Sequence, residues 1–171
     1  TAYRRQRQMC IRDSIYTDTH IAMDTNKDGH AMYATEWNEA EIMGRLNEMV
    51  DFTIQNMESD VLYIDELGDY LDGWDAQTTR KGHNLPQNMD NQKAFDIGVK
   101  FKMALIDRLI NYYGKIVLNN ICEDNHAGAF GYVVNSAVKQ ICDVKYENVE
   151  VVKHSAFLNH YFVGSNCFVL T

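Results

Sequence analysis

The sequence contains one proline, Pro86, and lacks any apolar run near the ~20 residues that a membrane-spanning helix needs. Its four cysteines form no Cys-x-x-Cys pair, which excludes the common zinc-knuckle and thiol-redox motifs. No secretory signal pattern opens the chain. We therefore expect a cytoplasmic globular domain with reduced cysteines, and no membrane partner.

The first fourteen residues differ from the rest of the chain. Residues 7–13 (RQMCIRD) resemble one reading frame of a transposon-adapter end used in sequencing libraries, and residues 3–6 resemble a second partial copy. We predict that residues 1–14 are a non-native tail and that residues 15–171 form the domain. The alternative is a basic arm that binds phosphate or lipid.

Basic residues are scarce outside this tail. The whole chain has 16 basic and 24 acidic residues, and without the tail's four arginines and one aspartate it has 12 and 23, a net charge of −11. A body this acidic repels nucleic acid, so a nucleic-acid substrate is possible but not indicated by charge. The carboxylates are better suited to binding cations.

Short apolar stretches alternate with helical patterns, which predicts an α/β fold. We expect strands near residues 15–17, 61–67, 115–119 and 149–152, helices near 36–57, 91–113 and 130–142, and a C-terminal hairpin of residues 157–163 and 167–170. The spacing of apolar residues in the second helix predicts one buried face, made of Phe95, Val99, Met103, Ile106 and Ile110. Gly114 is expected to be its left-handed C-terminal cap.

Metal-capable side chains follow three of the predicted strands. They are Asp18 and His20 after the first, Asp69 and Asp72 after the second, and Asn125 and His126 after the third. Because parallel strands end at the same edge of a sheet, these side chains are expected to meet there. Aspartate oxygens and imidazole nitrogens suit manganese, iron or zinc better than calcium. A dinuclear metal site is the hypothesis that these motifs favour.

The ordered motifs Asp18-Thr19-His20, Gly68-Asp69-Tyr70-Leu71-Asp72 and Asp124-Asn125-His126-Ala127 resemble those of the calcineurin-like metallophosphoesterases. The resemblance covers residues 15–171. It implies a β-sandwich flanked by helices in α-β-β-α layers. The fold would be incomplete at the C-terminus, because the family's two later histidine motifs have no counterpart before Thr171.

The resemblance also implies a ligand set for two divalent metal ions. Asp18 and His20 would bind the first ion, Asp69 would bridge both ions, and Asn125 would bind the second. Mn²⁺ is the expected metal, with iron, zinc or nickel as alternatives. Such a centre would activate a water molecule for in-line attack on a phosphoester substrate.

In the same resemblance His126 is the general acid, and Asp72 is the carboxylate that orients it. Gly73 stands where the protein phosphatases of the family carry a phosphate-binding arginine, which favours phosphodiester hydrolysis. Ala127 replaces the acidic residue that the family has after this histidine. A chain without the later histidines is expected to have little activity.

The long segment after Asp72 is expected to be a functional loop beside the site. Arg80, Lys81 and His83 could bind a substrate phosphate there.

Two other functions remain open from the sequence. Asp24, Asn26 and Asp28, with Gly29 at the sixth position, match the start of a calcium-binding loop. The twelfth position of that loop is Thr35 instead of a bidentate glutamate. The other possibility is a catalytically inactive scaffold of the same fold.

Overall fold

The fold is described by a computed structural model for residues 12–25, 36–56, 59–79, 83–156 and 158–171. Its elements are β1 (Arg12–Tyr16), α1 (Glu39–Gln55), β2 (Val61–Glu66), α2 (Asn91–Leu109), β3 (Lys115–Ile121), α3 (Ala129–Lys145), β4 (Val149–His154), β5 (Asn159–Val163) and β6 (Asn166–Leu170). The predicted α/β class is confirmed. Within these ranges, no helix has the length and apolar character needed to cross a membrane.

Strands β1 to β4 form one parallel sheet in the order β1-β2-β3-β4, so that strands consecutive in sequence are neighbours in space. Because crossover connections between parallel strands share one hand, helices α1, α2 and α3 all lie on the same face. Leu62 and Ile64 of β2 and Leu118 of β3 point to that face and are fully buried in the main core. The parallel order also puts the C-terminal ends of all four strands at one edge.

The antiparallel pair β5–β6 contacts the opposite face of the sheet. The ring of Tyr161 stacks on that of Tyr63 with 5.3 Å between centroids, and its hydroxyl donates to Asp65 Oδ2 at 2.9 Å. The period of two along β2 explains this arrangement, because Tyr63 and Asp65 alternate with the residues that face the helices.

Two helix assignments from the sequence need correction. Helix α1 begins at Glu39 instead of residue 36, because the Asn38 side chain caps it by accepting a hydrogen bond from Glu41 N at 3.1 Å. Gly114 does not adopt the left-handed conformation of a C-terminal cap. Glycine is required at this position because the Asp60 side chain packs closely against its backbone: a Cβ there would lie 2.7 Å from both carboxylate oxygens of Asp60.

The buried face of α2 also differs from the predicted one. Its most buried residues are Ala94, Ile97, Gly98, Phe101, Lys102, Leu105, Ile106 and Leu109. Phe95, Val99, Met103 and Ile110 are only partly buried beside this face. The apolar residues cover a wide arc of the helix, so their spacing alone could not show that a lysine lies at the centre of the buried side.

Strand β1 begins at Arg12, so it extends three residues into the segment assigned to the tail. These residues pair in parallel with β2, Arg12 opposite Leu62 and Ser14 opposite Ile64. Strand pairing uses backbone groups, which residues of any type except proline supply.

Candidate metal centre

The loops that follow β1 and β2 run side by side at the C-terminal edge of the sheet. Asp18 N donates to Gly68 O at 3.2 Å, and His20 N donates to Asp69 O at 2.9 Å. Asp18, His20 and Asp69 have φ angles of 52°, 44° and 49°, in the left-handed region that residues other than glycine rarely adopt. Strained backbone of this kind concentrates at functional sites.

Two histidines from different loops share one carboxylate. His20 Nδ1 lies 2.9 Å from Asp72 Oδ1, and His126 Nδ1 lies 3.4 Å from the same oxygen. The two imidazole rings are edge to face, with 4.6 Å between centroids. The family resemblance implies that Asp72 orients His126, whereas the shorter contact of Asp72 is to His20. Because Asp72 faces both Nδ1 atoms, the Nε2 atom of each histidine is left to face the other carboxylates.

Asp69 lies between the two histidines. His20, Asp69 and His126 each offer one ligand atom, and these three atoms lie within 4.8 Å of one another. His126 Nε2 is 3.9 Å from Asp69 Oδ2, and His20 Nε2 is 3.6 Å from Asp18 Oδ1. Asp69 Oδ1 is buried and has no hydrogen-bond partner among the described residues. Two imidazoles and a carboxylate oxygen that lacks a partner are suited to a divalent transition metal.

Asp124 connects the third loop to this cluster. Its Oδ1 accepts hydrogen bonds from the backbone N of His126 at 2.9 Å and of Ala127 at 2.6 Å, and its Oδ2 accepts one from Asp69 N at 3.0 Å. The motif resemblance assigns Asp124 no role. Its position two residues before His126 is the signal for such a side-chain-capped turn.

Several carboxylates control the protonation of the cluster. Burial lowers the pKa of His20, but the hydrogen bond with Asp72 and the charges of Asp72, Asp69 and Asp18 outweigh burial, so the net pKa is raised. Burial raises the pKa of Asp69, and the two histidines oppose this only in part. Protons therefore compete with a cation for this site.

Asn125 precedes His126 in the third loop. It is exposed and lines an adjoining cavity of about 970 Å³ together with Asp69, Trp74 and Phe130. Its backbone oxygen accepts a hydrogen bond from Thr79 Oγ1 at 3.1 Å.

The predicted substrate-binding and calcium-binding residues are only partly visible. Arg80 and Lys81 lie outside the described residues, as do Asn26 and Asp28 of the predicted calcium loop. His83 is exposed, and its backbone oxygen accepts a hydrogen bond from Thr78 N at 3.2 Å.

The structure thus brings Asp18, His20, Asp69, Asp72 and His126 into one cluster and puts Asn125 at the wall of the cavity beside it. No protein-family model, curated protein or solved structure matches the chain. The function is therefore inferred from the site itself.

Proposed function

We propose that the chain is a metal-dependent phosphoesterase of the calcineurin-like type, acting on a phosphodiester. The observation that carries the proposal is that His20, Asp69 and His126, from three strand-end loops, converge, and that the buried Oδ1 of Asp69 has no hydrogen-bond partner in the described part of the chain. The α/β fold, with helices on one face of a parallel sheet and the β5–β6 pair on the other, is compatible with the layered sandwich proposed for it.

Asp69 is proposed to bridge two divalent ions, with Asp18 and His20 on one side and Asn125 on the other. Mn²⁺ is the first choice for a set of carboxylate, imidazole and amide ligands. Bound there, such ions supply a water molecule of lowered pKa and neutralise the charge of the phosphoryl group. Asp72 Oδ1 is hydrogen-bonded to His20 Nδ1, as a carboxylate behind a metal-binding imidazole is. His126 Nδ1 lies 3.4 Å from the same oxygen and makes no hydrogen bond to the described residues.

His126 is proposed to protonate the leaving group. Its Nδ1 faces Asp72 and its Nε2 faces the cluster, 3.9 Å from Asp69 Oδ2. A protonated imidazole with Nε2 facing the cluster can give that proton to a departing alkoxide. The same position would also allow His126 to be a third metal ligand, and the second experiment below distinguishes the two roles.

The metal site is tested by calorimetric titration of the chelator-treated protein with Mn²⁺. We expect binding by the wild-type chain and at least about tenfold weaker binding by Asp69→Asn, since even indirect contacts of a metal site contribute that much. His160→Ala, at an exposed position on β5, is the matched control and should bind as the wild type does. The proposal is wrong if the wild type does not bind or if Asp69→Asn binds equally well.

The reaction is tested with two substrates that differ in leaving group. Bis(p-nitrophenyl) phosphate releases a weakly basic phenolate that needs little protonation, whereas a nucleoside 2′,3′-cyclic phosphate releases an alkoxide that needs a proton. His126→Ala should lower turnover of the cyclic phosphate by about 10²–10⁴-fold, and turnover of the aryl ester much less. Loss of Mn²⁺ binding in this variant would identify His126 as a ligand instead. No hydrolysis of either ester by the Mn²⁺-loaded wild type would favour the inactive scaffold.

A further inference from the structure

A fully buried lysine lies beneath the candidate metal centre. Lys102 of α2 has no exposed side-chain surface, and its Nζ donates to Glu66 Oε2 at 3.0 Å, Asn120 Oδ1 at 2.7 Å and Asn135 Oδ1 at 2.6 Å. An ammonium group has three N–H donors, so all of them are used. One side chain of α2 thereby contacts the ends of β2 and β3 and the buried side of α3.

Stability alone is a poor explanation for this arrangement. The Glu66 carboxylate is also fully buried, and removing two opposite charges from water costs as much as, or more than, their attraction returns. Apolar residues of similar volume often stabilise a core equally well. The pair therefore calls for another explanation, and its contacts with neighbouring residues supply one.

The pair holds both residues that flank Asp69. The second oxygen of the carboxylate, Glu66 Oε1, accepts a hydrogen bond from Gly68 N at 2.7 Å. On the other side, Lys102 Nζ lies over the ring of Tyr70, 4.1 Å from its centroid. Gly68 has a φ of 101°, a conformation that glycine adopts readily among many others, so contacts on both sides are what fix the turn in one of them.

The same lysine reaches the loop that carries His126. Asn120, which accepts from Lys102, donates through Nδ2 to Leu118 O at 3.1 Å and to Val152 O at 3.0 Å, and so ties the end of β3 to β4. The loop after β3 then returns to the turn through Asp124 Oδ2, which accepts from Asp69 N. Two of the three loops of the cluster, those after β2 and β3, are thus linked to Lys102 through Glu66 and Asn120, which lie at the ends of these strands.

We propose that Lys102 is a positioning residue for the metal centre: acting through Glu66 and Tyr70, it holds the Gly68-Asp69 turn so that the Asp69 carboxylate faces His20 and His126. This inference rests on the proposed metal site. It adds to that site two positioning residues, Lys102 and Glu66, that lie outside the three sequence motifs. Neither Lys102 nor Glu66 contacts the cluster itself.

The test uses Co²⁺ as the probe, because its visible absorption reports coordination geometry independently of any enzymatic activity. Glu66→Gln is the main variant. A carboxylate offers an acceptor oxygen to each of two donors, Gly68 N and Lys102 Nζ, whereas an amide of the same shape must present its NH₂ group to one of them. Lys102→Met is the second variant, which removes the charge and keeps an unbranched side chain.

The matched control is Asp65→Asn. Asp65 precedes Glu66 in β2, is equally a buried carboxylate, and points to the opposite face, where it accepts hydrogen bonds from Tyr161 and Asn119. It makes no described contact with the Gly68-Asp69 turn. The control therefore measures the general effect of neutralising a buried carboxylate in this strand.

We expect Glu66→Gln and Lys102→Met to bind Co²⁺ about tenfold or more weakly and with an altered absorption spectrum, while Asp65→Asn keeps the wild-type affinity and spectrum. If Lys102→Met does not fold, Glu66→Gln decides the result. An unchanged affinity and spectrum in Glu66→Gln would overturn the inference, as would an equal loss in Asp65→Asn. Absence of Co²⁺ and Mn²⁺ binding by the wild type would overturn the proposed function together with it.

Discussion

Asp65 and Glu66 are adjacent carboxylates in β2, both buried, and they show how differently the two faces of the sheet are built. Glu66 points to the helices and pairs with the ammonium of Lys102. Asp65 points to the β5–β6 pair and has neutral donors, Tyr161 at 2.9 Å and Asn119 at 2.8 Å. Proximity in sequence therefore says little about what a buried charge does, because alternation along a strand sends neighbours into different environments.

The two faces also differ in how completely they exclude water. On the helix side Leu62, Ile64 and Leu118 are fully buried. On the other side Ile15 of β1 is 57% exposed, and Tyr161 and Phe168 of the hairpin, which share the face turned to the sheet, are only partly buried. Most of the apolar stabilisation should therefore come from the helix-covered face, since burial of apolar surface is its main source.

The largest expected effect tests this difference directly. Leu118→Ala should lower the free energy of unfolding by about 2–5 kcal/mol, because it leaves a cavity in a closed core. Ile15→Ala on the other face should cost less than about 1 kcal/mol, because that side chain is mostly exposed. Urea unfolding of the two variants measures both values. Similar losses would mean that the two faces contribute equally and that the comparison is wrong.

A smaller loss of unfolding free energy is expected when the hydroxyl group of Tyr161, on the hairpin, is removed. Tyr161→Phe removes the hydrogen bond to Asp65 Oδ2 and should cost about 1–2 kcal/mol of unfolding free energy. Tyr63→Phe is the matched control, since Tyr63 belongs to the same ring stack and its hydroxyl has no hydrogen bond to the described residues. Equal effects of the two substitutions would show that the hydrogen bond contributes nothing, and the same denaturation series gives the answer.

The smallest expected effect is a pH dependence of stability due to Asp65. Burial raises the pKa of Asp65, and the hydrogen bonds from Asn119 and Tyr161 offset this only in part. The folded protein therefore keeps this proton to a higher pH than the unfolded chain does. The resulting stabilisation is complete below about pH 4, the ordinary aspartate pKa, and is lost as the pH rises through the folded-state value.

Consequently the free energy of unfolding of the wild type, minus that of Asp65→Asn, should decrease as the pH rises above about 4. Chemical denaturation at constant ionic strength gives this difference. A difference that increases with pH would mean that the hydrogen bonds of Asp65 outweigh its burial.

The positions of the strands and of the candidate ligands were predictable from local pattern. The residues after β1, β2 and β3 were expected at one edge of the sheet because parallel strands share their direction, and Asp18, His20, Asp69 and His126 do lie together there. Which imidazole contacts Asp72 more closely was not predictable. That choice depends on ångström-scale geometry between loops 52 residues apart in the chain.

Lys102 marks the limit of pattern reasoning most clearly. A lysine in an amphipathic helix is ordinarily assigned to the solvent side, because burial of an unpaired charge is costly. Here Glu66, Asn120 and Asn135, which come from three other elements, supply its acceptors. The spacing of apolar residues gives no information about such partners. For this reason the predicted buried face of α2 differs from the observed one.

The sequence by itself determined the α/β class, the order of the elements and the strand ends at which the metal-capable residues occur, because these depend on local periodicity and chain direction. Only the tertiary structure decided that two histidines share Asp72, that Asp124 ties two loops together, and that a buried lysine lies beneath the Asp69 turn. These features depend on contacts between residues far apart in the chain, which form only when the sheet and its helices are assembled.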